Sequence, residues 1–322
     1  MRAAGTRLGA HVPAAAWLAA PATLWRFSRP HTLVGTTVSI LGIYVIAAVE
    51  LPGVALGDGL ADLALAVLAG AAVNVYIVGL NQCEDVEIDR INKPRLPIPA
   101  GRLSLSAARR LVIGCGVLAI GLAVTQGWVE TAAVGAALAI GTAYSSPPLR
   151  LKRFPAAAAA SISIVRACVV NVGVYLHFAD SLGGRGELSP LPGPIVALTL
   201  FVLPFSFAIA VLKDVPDEEG DRRFRIATFT VRLGPNAAFG IGMAALTIGY
   251  LGMALLGPLT LDSASPWVLV LGHLACLATL WRLAVRVQPA DAASFGGFYM
   301  RVWALFFVEY LLMPAAVLAE RA

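Results

Sequence analysis

Acidic side chains are scarce in this 322-residue chain, and nearly half of the 19 are concentrated in two short windows. The first window holds Glu84, Asp85, Glu87 and Asp89, and the second holds Asp214, Asp217, Glu218, Glu219 and Asp221. Asn81, Asp85 and Asp89 recur every four residues, so on a helix they stack on one face. Asp217 and Asp221 repeat that spacing, and Asp214 lies on the same face. Carboxylate and amide oxygens in such columns are ligands that suit Mg²⁺.

Both windows lie beside basic residues, which makes the predicted ligand more specific. Arg90, Lys93, Arg95 and Arg102 follow the first window, and Lys213, Arg222, Arg223 and Arg225 flank the second. Mg²⁺ usually shares its shell with substrate phosphates, and cations neutralise the remaining phosphate charge. Two facing windows therefore predict a site for a metal-bound diphosphate. Solvated, charge-balanced loops are the alternative that the pattern leaves open.

The elements that carry these windows are predicted to be membrane-spanning helices. Hydrophobic residues make up 58% of the chain, charged residues 13%, and the mean hydropathy is +0.79, which excludes a soluble enzyme. Continuous runs rich in Ala, Leu and Gly favour helices over barrel strands. The predicted fold is all-α, with about nine transmembrane helices around a central cavity capped by cytoplasmic loops. The spans are 32–48, 60–80, 107–126, 129–144, 156–178, 194–212, 237–256, 267–285 and 295–318.

Basic residues sort the loops into two sides. One side holds Arg2, Arg7, Arg26 and Arg29, the loops 81–106, 147–155 and 213–235, and the turn with Arg282 and Arg286. On the other side, Arg185 is the only cation before the C-terminus. The positive-inside rule makes the first side cytoplasmic and places the C-terminus outside. These loops account for the formal charge of +5, so no nucleic-acid partner is expected.

The domain organisation is predicted to be simple. Residues 1–24 form a cytoplasmic or interfacial leader, with a transit peptide as the alternative, and 25–322 form a single transmembrane domain. The expected location is a bacterial inner membrane, or a plastid membrane if the leader is a transit peptide. Cys83, Cys115, Cys168 and Cys276 form no CxxC pair, so neither a zinc site nor a disulfide framework is indicated.

Several motifs, in order along the chain, resemble those of one family of membrane enzymes. Residues 81–89, followed by Asn-Lys-Pro at 92–94, resemble the NxxxDxxxD motif of the UbiA superfamily of aromatic prenyltransferases, and 213–221 resembles its DxxxD motif. Other runs resemble the homogentisate prenyltransferases of tocopherol and plastoquinone synthesis. These runs are WRFSRPHT at 25–32, NKPxLPxxxG ending at Gly101, Tyr144-Ser145 with PLRLKR at 148–153, and TFTVRLG at 228–234.

The resemblance implies a set of site residues. The catalytic, magnesium-binding residues would be Asn81, Asp85, Asp89, Asp217 and Asp221. Asp214 is an expected helper, and the candidate diphosphate cations are Arg102, Lys152, Arg153 and Lys213, each of which membrane topology explains equally well. Prolines at 94, 97 and 99 keep the loop after the first motif from continuing as helix, which suits a lid.

Arg166 is a further candidate, because it lies well inside an apolar span, where ionisable groups are costly and face the bundle interior. We expect it to bind an acidic acceptor or to brace the metal site. The alternative is an ion pair with an acid such as Glu309. Asn171 is a second candidate for substrate binding, and α-helical spacing places it across the helix from Arg166. His177 and His273, near outer ends of spans, are expected to be interfacial residues rather than bases.

The expected reaction is Mg²⁺-dependent transfer of a prenyl group from an isoprenoid diphosphate to a small aromatic acid, within membrane lipid. Homogentisate, with decarboxylation and release of diphosphate, is the acceptor that the resemblance implies. Its alternatives are 4-hydroxybenzoate, a naphthoate or a chlorophyllide. A divalent-cation transporter is the alternative from another class, but it predicts ionisable residues at the midplane of several helices. Arg166 and Glu309 are nearly the only such residues.

Overall fold

The computed structural model describes residues 20–184 and 190–321, so most of the predicted leader at 1–24 lies outside the described residues. Within the described ranges the chain is helical, with turns between helices and no strand. The helices are α1 Ala20–Phe27, α2 Pro30–Glu50, α3 Leu60–Glu84, α4 Val86–Asn92, α5 Leu105–Gln126, α6 Trp128–Ser145, α7 Pro155–Leu182, α8 Gly193–Leu212, α9 Glu218–Arg223, α10 Phe229–Leu233, α11 Pro235–Thr260, α12 Pro266–Ala284 and α13 Ala292–Arg321.

Eight of these helices are long and apolar enough to cross a membrane, which confirms an all-α, integral membrane fold. They are α2, α3, α5, α7, α8, α11, α12 and α13. The remaining predicted span, 129–144, corresponds to α6, which is 18 residues long and packs against α3 and α5. It falls short of the other eight in apolarity and carries Glu130 in its first turn. Within the described ranges, eight helices are thus apolar enough to span a membrane and α6 is less apolar, so the predicted number of about nine is approximate.

Aromatic side chains fill the core around α8. Phe201 and Phe205 of this helix are buried against Tyr250 of α11, with ring centroids 5.2 and 5.9 Å apart. Phe205 also lies 5.6 Å from the ring of Phe306 on α13. Offset and edge-to-face contacts of this kind stabilise a tightly packed interior. This packing fixes the half of the bundle that carries the second acidic window.

Small residues bring the other helices close together. Ala69 and Ala72 of α3 form a buried cluster with Ala119 and Ala123 of α5, as expected where dispersion contacts rather than water exclusion hold helices together. At Gly42 of α2, an added Cβ would lie 2.5 Å from the carbonyl oxygen of Tyr310 on α13. The bundle is thus closed tightly at its edges, while α2, α3, α6, α7 and α13 leave a cavity between them.

One helix departs from regular α-helical geometry. The middle of α7, Ile164–Gly173, is a π-helix, in which hydrogen bonds join residues five apart. This segment includes Arg166 and Asn171, the two polar candidates of that span. Because they are five residues apart, the π-helix brings them toward the same face, whereas α-helical spacing separates them.

Candidate active site

The first acidic window lies where α3 ends and α4 begins. The helix breaks at Asp85, whose φ of −111° and ψ of 20° are not helical. The four-residue register nevertheless continues, because the Asp85 N–H donates to the Asn81 carbonyl at 3.0 Å and the Asp89 N–H donates to the Asp85 carbonyl at 2.7 Å. The three predicted ligands of this window therefore stay in one column across the break.

The second window follows α8 in the same way. Asp217 is the residue before the short helix α9, and the Asp221 N–H donates to the Asp217 carbonyl at 3.1 Å, so the predicted four-residue spacing forms one helical turn. Asp214 lies in the turn between α8 and α9 and is ion-paired with Lys213. The loop between Asn92 and α5 consists of turns, as its prolines predict.

Asn92 joins the two windows directly. Its Nδ2 donates to the Asp217 carbonyl at 2.9 Å, and its Oδ1 accepts from the Gly220 N–H at 2.9 Å. A Cβ at Gly220 would lie 2.4 Å from that Oδ1, so only glycine permits this approach. Lys93, the next residue, is ion-paired with Asp217. Asn92 was not among the predicted site residues, although it begins the Asn-Lys-Pro run of the first motif.

Two of the four predicted carboxylate ligands, one in each window, are held by cations. Asp85 accepts from Lys152 Nζ at 2.6 Å, from Arg150 Nη2 at 3.1 Å and from Asn81 Nδ2 at 3.0 Å. Lys152 is 6% exposed, and burial lowers the pKa of its ammonium, against which the Asp85 charge acts. Asp217 is ion-paired with Lys93, so in each window one of the two predicted carboxylate ligands is held by a cation.

The other two predicted carboxylate ligands, Asp89 and Asp221, make no ion pair with any residue that the structure describes. Asp89 is 3% exposed and its Oδ2 accepts no hydrogen bond; burial raises its pKa to about 6, although the Lys93 charge acts in the opposite direction. Asp221 accepts only a 3.5 Å contact from Asn92, and burial together with the charges of Asp214 and Asp217 raises its pKa to about 8. Burial favours the protonated form of both groups, and a bound cation would favour the carboxylate form instead.

The donor set fits a magnesium ion shared with a phosphate ligand. Carboxylate and amide oxygens are hard ligands, and the buried, unpartnered oxygen of Asp89 lacks the positive charge that such an ion supplies. Within residues 20–184 and 190–321, no three His, Cys, Asp or Glu side chains enclose a metal by themselves. Mg²⁺ usually takes one or two protein carboxylates and completes its shell with water and substrate phosphates.

A cavity of about 480 Å³ runs from the carboxylates into the bundle. Its wall on α3 and α6 is largely aliphatic, with small residues such as Ala66, Gly70 and Ala137 beside larger ones such as Ile77 and Ile140. Its wall on α13 is aromatic, with Tyr299, Trp303, Phe306 and Tyr310, and α7 places Arg166 beside these rings. The cavity thus combines a charged mouth, an apolar side and an aromatic side.

Arg166 lies on the aromatic wall. Its guanidinium carbon is 4.5 Å from the ring centroid of Trp303 and 5.7 Å from that of Phe306. Asn171 is fully buried and accepts from the Tyr310 hydroxyl at 2.7 Å. Both polar residues of α7 therefore face α13, which corrects the expectation that they lie on opposite sides of the helix. The π-helix between them is the physical reason.

The alternative partner for Arg166 is occupied elsewhere. Glu309 lies 3.1 Å from His273 Nε2, and both side chains are buried. In the described ranges, Arg166 makes no ion pair within 4.0 Å. His273 and His177 are both buried, so the expectation that they are interfacial was wrong. Each lies beside a glutamate of a neighbouring helix, which makes burial of the ring possible.

The candidate cations separate into two groups. Lys152 and Lys213 line the cavity, whereas Arg102 and Arg153 are exposed and do not. Their place is taken by two arginines that were not predicted: Arg150, which donates to Asp85, and Arg29, which lines the mouth next to α2. What could have identified both arginines in the sequence is that they belong to the WRFSRPHT and PLRLKR runs. Their charge alone does not identify them, because membrane topology also explains basic residues at the cytoplasmic side.

Comparison with known proteins identifies the family. The UbiA prenyltransferase family matches residues 36–305. The chain is 44% identical over 301 residues to the homogentisate phytyltransferase of Synechocystis sp., covering 91% of this chain and 94% of that protein. It is 37% identical over 295 residues to homogentisate phytyltransferase 1, chloroplastic, of Arabidopsis thaliana, covering 90% and 74%.

A solved structure shares the fold. It is a UbiA homolog from Archaeoglobus fulgidus bound to GPP and Mg²⁺, with a TM-score of 0.60, 17% identity and coverage of 91% of this chain and 99% of that one. The chain belongs to the UbiA prenyltransferase family and is a membrane-bound transferase.

Proposed function

We propose that this member of the family transfers a prenyl group from an isoprenoid diphosphate to homogentisate, with loss of the acetate carboxylate as carbon dioxide and release of diphosphate. The observation that carries the proposal is the meeting of two carboxylate windows at one mouth of a cavity whose aromatic wall holds an arginine without an acidic partner in the described ranges. The homogentisate-named relatives support the choice of acceptor.

The mouth binds the diphosphate. Asn81, Asp85, Asp89, Asp217 and Asp221 would hold Mg²⁺, which supplies Lewis-acid neutralisation of the diphosphate oxygens when bound. Lys152 and Lys213 line the same mouth and donate to phosphate oxygens. Their charges favour the diphosphate as it leaves, because its negative charge grows while the allylic C–O bond stretches.

The aromatic wall serves the carbon side of the reaction. Breaking the C–O bond leaves an allylic cation, and the faces of Tyr299 and Phe306 stabilise positive charge in the cavity without reacting as bulk water would. Attack by the aromatic ring forms the new C–C bond. The ring then loses one proton, and the benzylic carbon gains one as carbon dioxide leaves, so protons and charge balance.

Arg166 is proposed to anchor the acceptor through its carboxylate. Its guanidinium is stacked on Trp303, which fixes the plane of the fork while its donors remain free for a carboxylate. Asn171 is proposed to support this wall through Tyr310 rather than to touch the acceptor. Asp214 is proposed as a helper that positions Lys213 through their ion pair.

The mouth is proposed to face the cytoplasm. The loops that form it are the arginine- and lysine-rich ones, and such loops stay on the cytoplasmic side. Exposed apolar side chains such as Ile113, Val117 and Val124 on α5 are proposed to contact lipid tails. A bacterial inner membrane fits this orientation.

An acceptor competition tests the proposal. Purified protein with Mg²⁺ and geranylgeranyl or phytyl diphosphate is given homogentisate, 4-hydroxybenzoate, a naphthoate and a chlorophyllide in separate reactions, and the product mass is recorded. We expect a product only with homogentisate, at the mass that loss of carbon dioxide predicts. Prenylation of another acceptor, with none of homogentisate, would show that the acceptor is wrong. Activity that survives complete removal of divalent cations would show that the metal assignment is wrong.

A further inference from the structure

His31 has a defined place on the cavity wall and no part in the proposed binding of donor or acceptor. It lies in the first turn of α2 and lines the cavity. Its ring centroid is 5.0 Å from that of Trp303, with 69° between the planes, which is an edge-to-face contact. Gly35, one turn further along α2, approaches the same indole, since an added Cβ there would lie 3.1 Å from Trp303 Cζ3. The packing of α2 on α13 thus positions the imidazole at the edge of the aromatic wall.

Both ring nitrogens of His31 are available to a ligand. Neither makes a hydrogen bond or an ion pair with any residue in the part of the chain that the structure describes, whereas His273 and His177 each lie beside a glutamate. Among the described residues that line the cavity, His31 is also the only histidine. An imidazole with a free nitrogen, half-buried in a reaction cavity, is the side chain most often used as a general base.

The other titratable groups of the cavity are less suited to this role. The carboxylates of the two windows are assigned to the metal, and the lysines Lys152 and Lys213 are ion-paired. Glu130 lines the cavity from the first turn of α6, whereas Tyr144, at the other end of that helix, lies beside Lys213 at the mouth. His31 is therefore the base that lies beside both the mouth and the aromatic wall.

The distance from His31 to Arg166 suits the proposed acceptor. The guanidinium carbon of Arg166 lies 4.5 Å from the Trp303 centroid, so this distance and the 5.0 Å of the imidazole together bound the separation of the two groups at about 9.5 Å. In homogentisate, four bonds separate the carboxylate carbon from the oxygen of the ortho hydroxyl, a span of about 3–5 Å. A hydrogen bond of about 2.8 Å at each end covers the rest. An acceptor held by its carboxylate on Arg166 can therefore reach His31 with this hydroxyl.

The charges around His31 couple it to both substrates. Arg29 lines the cavity two residues before it, and Arg166 stacks on the same Trp303, so the imidazole lies between two guanidinium groups. A positive charge on His31 is unfavourable beside these two cations. Bound diphosphate and a bound acceptor carboxylate would each neutralise one of them. Proton transfer to His31 is therefore favoured when donor and acceptor are both present.

We propose that His31 is a catalytic base that takes the proton of the acceptor's ortho hydroxyl as the new C–C bond forms. The inference rests on the proposed function, which supplies the phenolic acceptor. The ring carbon next to this hydroxyl attacks the allylic carbon, and the electron pair of the breaking C–O bond leaves on the diphosphate. The ring is then a neutral ketone with one hydrogen on the alkylated carbon. That proton passes to the released diphosphate, His31 returns its own proton to the oxygen, and the ring is aromatic again.

Two variants of His31 separate proton transfer from packing. His31→Phe keeps a ring against Trp303 and removes both nitrogens, and it should lower kcat by about 10²-fold or more. His31→Gln keeps a polar side chain that cannot take up the proton, and it should lower kcat by a similar factor. Affinity for the Mg²⁺-bound donor, measured without acceptor, should not change in either. His177→Phe is the matched control, because it makes the same replacement at a histidine that does not line the cavity.

A second measurement changes the acceptor instead of the protein. The analogue of homogentisate with a methyl ether at the ortho oxygen has no proton to give, so wild type should prenylate it about 10²-fold more slowly than homogentisate. In His31→Phe the two acceptors should react at similar, slow rates, because the base is already missing. A role in packing alone would leave the ratio of the two acceptors as it is in wild type.

The inference is overturned if His31→Phe keeps the wild-type kcat, or if its two acceptors differ as much as they do with wild type. Should His31→Phe lose donor binding and so its fold, His31→Gln decides between these outcomes. Failure of the proposed function is seen separately, as a wild-type protein that gives no product from homogentisate. The same comparison then uses the acceptor that is prenylated and its methyl ether, and prenylation of an acceptor without a ring hydroxyl also overturns the inference.

Discussion

The two carboxylate windows offer the same side chains at the same spacing, yet they are fixed in different ways. The first is held by a separate loop, because Arg150 and Lys152 both donate to Asp85. The second is held by the first, because Asn92 and Lys93 reach across to Asp217. The position of the second window therefore depends on the first, whereas the first has an anchor of its own.

Within each window the carboxylates also differ. Of the two predicted carboxylate ligands in each window, Asp85 or Asp217 is paired with a cation, and Asp89 or Asp221 is buried without an ion pair in the part of the chain that the structure describes. Paired carboxylates stabilise the folded loops, and unpaired ones cost stability until a cation arrives. We therefore expect Asp85 and Asp217 to hold the loops in place, and Asp89 and Asp221 to keep their capacity for metal.

Removal of a carboxylate is expected to have the largest effect. Asp85→Ala, Asp217→Ala and Asp89→Asn should each lower kcat/KM by about 10²–10³ or more, while the helical bundle stays folded. Their melting temperatures should differ. Asp85→Ala leaves the Lys152 ammonium buried without its acid and lowers Tm, whereas Asp89→Asn removes an unpaired buried charge and does not. Full activity in Asp85→Ala or Asp217→Ala would contradict the metal site, and equal Tm values would contradict the division into paired and unpaired groups.

Disruption of the contact between Asn92 and Gly220, which joins the two windows, is expected to have an intermediate effect. Gly220→Ala places a Cβ 2.4 Å from Asn92 Oδ1 and so pushes the second window away, which should lower kcat/KM by about 10–100-fold. Adding Asn92→Ala removes the clash, so the double variant should be more active than Gly220→Ala alone. Gly240→Ala, where an added Cβ meets nothing, is the control. Additive losses in the double variant would show that the contact does not position the window.

A substitution at Arg166, which lies outside both windows, tests whether the windows bind only the prenyl donor. Arg166→Lys keeps the charge but loses the planar fork on Trp303, so the KM for homogentisate should rise about tenfold. Affinity for the Mg²⁺-bound donor, measured without acceptor, should not change. If donor affinity falls equally, Arg166 braces the metal site and not the acceptor.

The smallest effect is a pH dependence that belongs to the unpaired carboxylates. The pKa is about 8 for Asp221 and about 6 for Asp89, so metal binding displaces protons below pH 8. As pH falls below 8, Mg²⁺ affinity should therefore fall by up to about tenfold per pH unit. Below pH 6, where Asp89 is also protonated, it should fall more steeply. The folded, metal-free protein holds protons that the unfolded chain has lost, so its stability should rise as pH falls from about 8 toward 4. Calorimetry and melting curves across this range check both signs, and an affinity independent of pH would contradict the unpaired state.

The sequence predicts the fold well, because long apolar runs and one-sided basic loops leave few arrangements. It also predicts the columns of ligands, since their register survives the helix break at Asp85. Two kinds of feature could not be predicted from the sequence. The π-helix of α7 has no signature in spacing alone, so Arg166 and Asn171 were assigned to opposite faces. Contacts between the windows, such as that of Asn92 with Gly220, depend on tertiary packing that spacing along one helix does not encode.

The tight connection between α5 and α6 has a consequence for biogenesis. A single residue, Gly127, separates the two helices, and its φ of 117° is open mainly to glycine. The less apolar α6 is therefore expected to enter the bilayer together with α5 as a hairpin, rather than as an independent segment. Reporter fusions that place α6 alone, or α5 with α6, before a translocation marker would measure this coupling. Efficient insertion of α6 alone would argue against it.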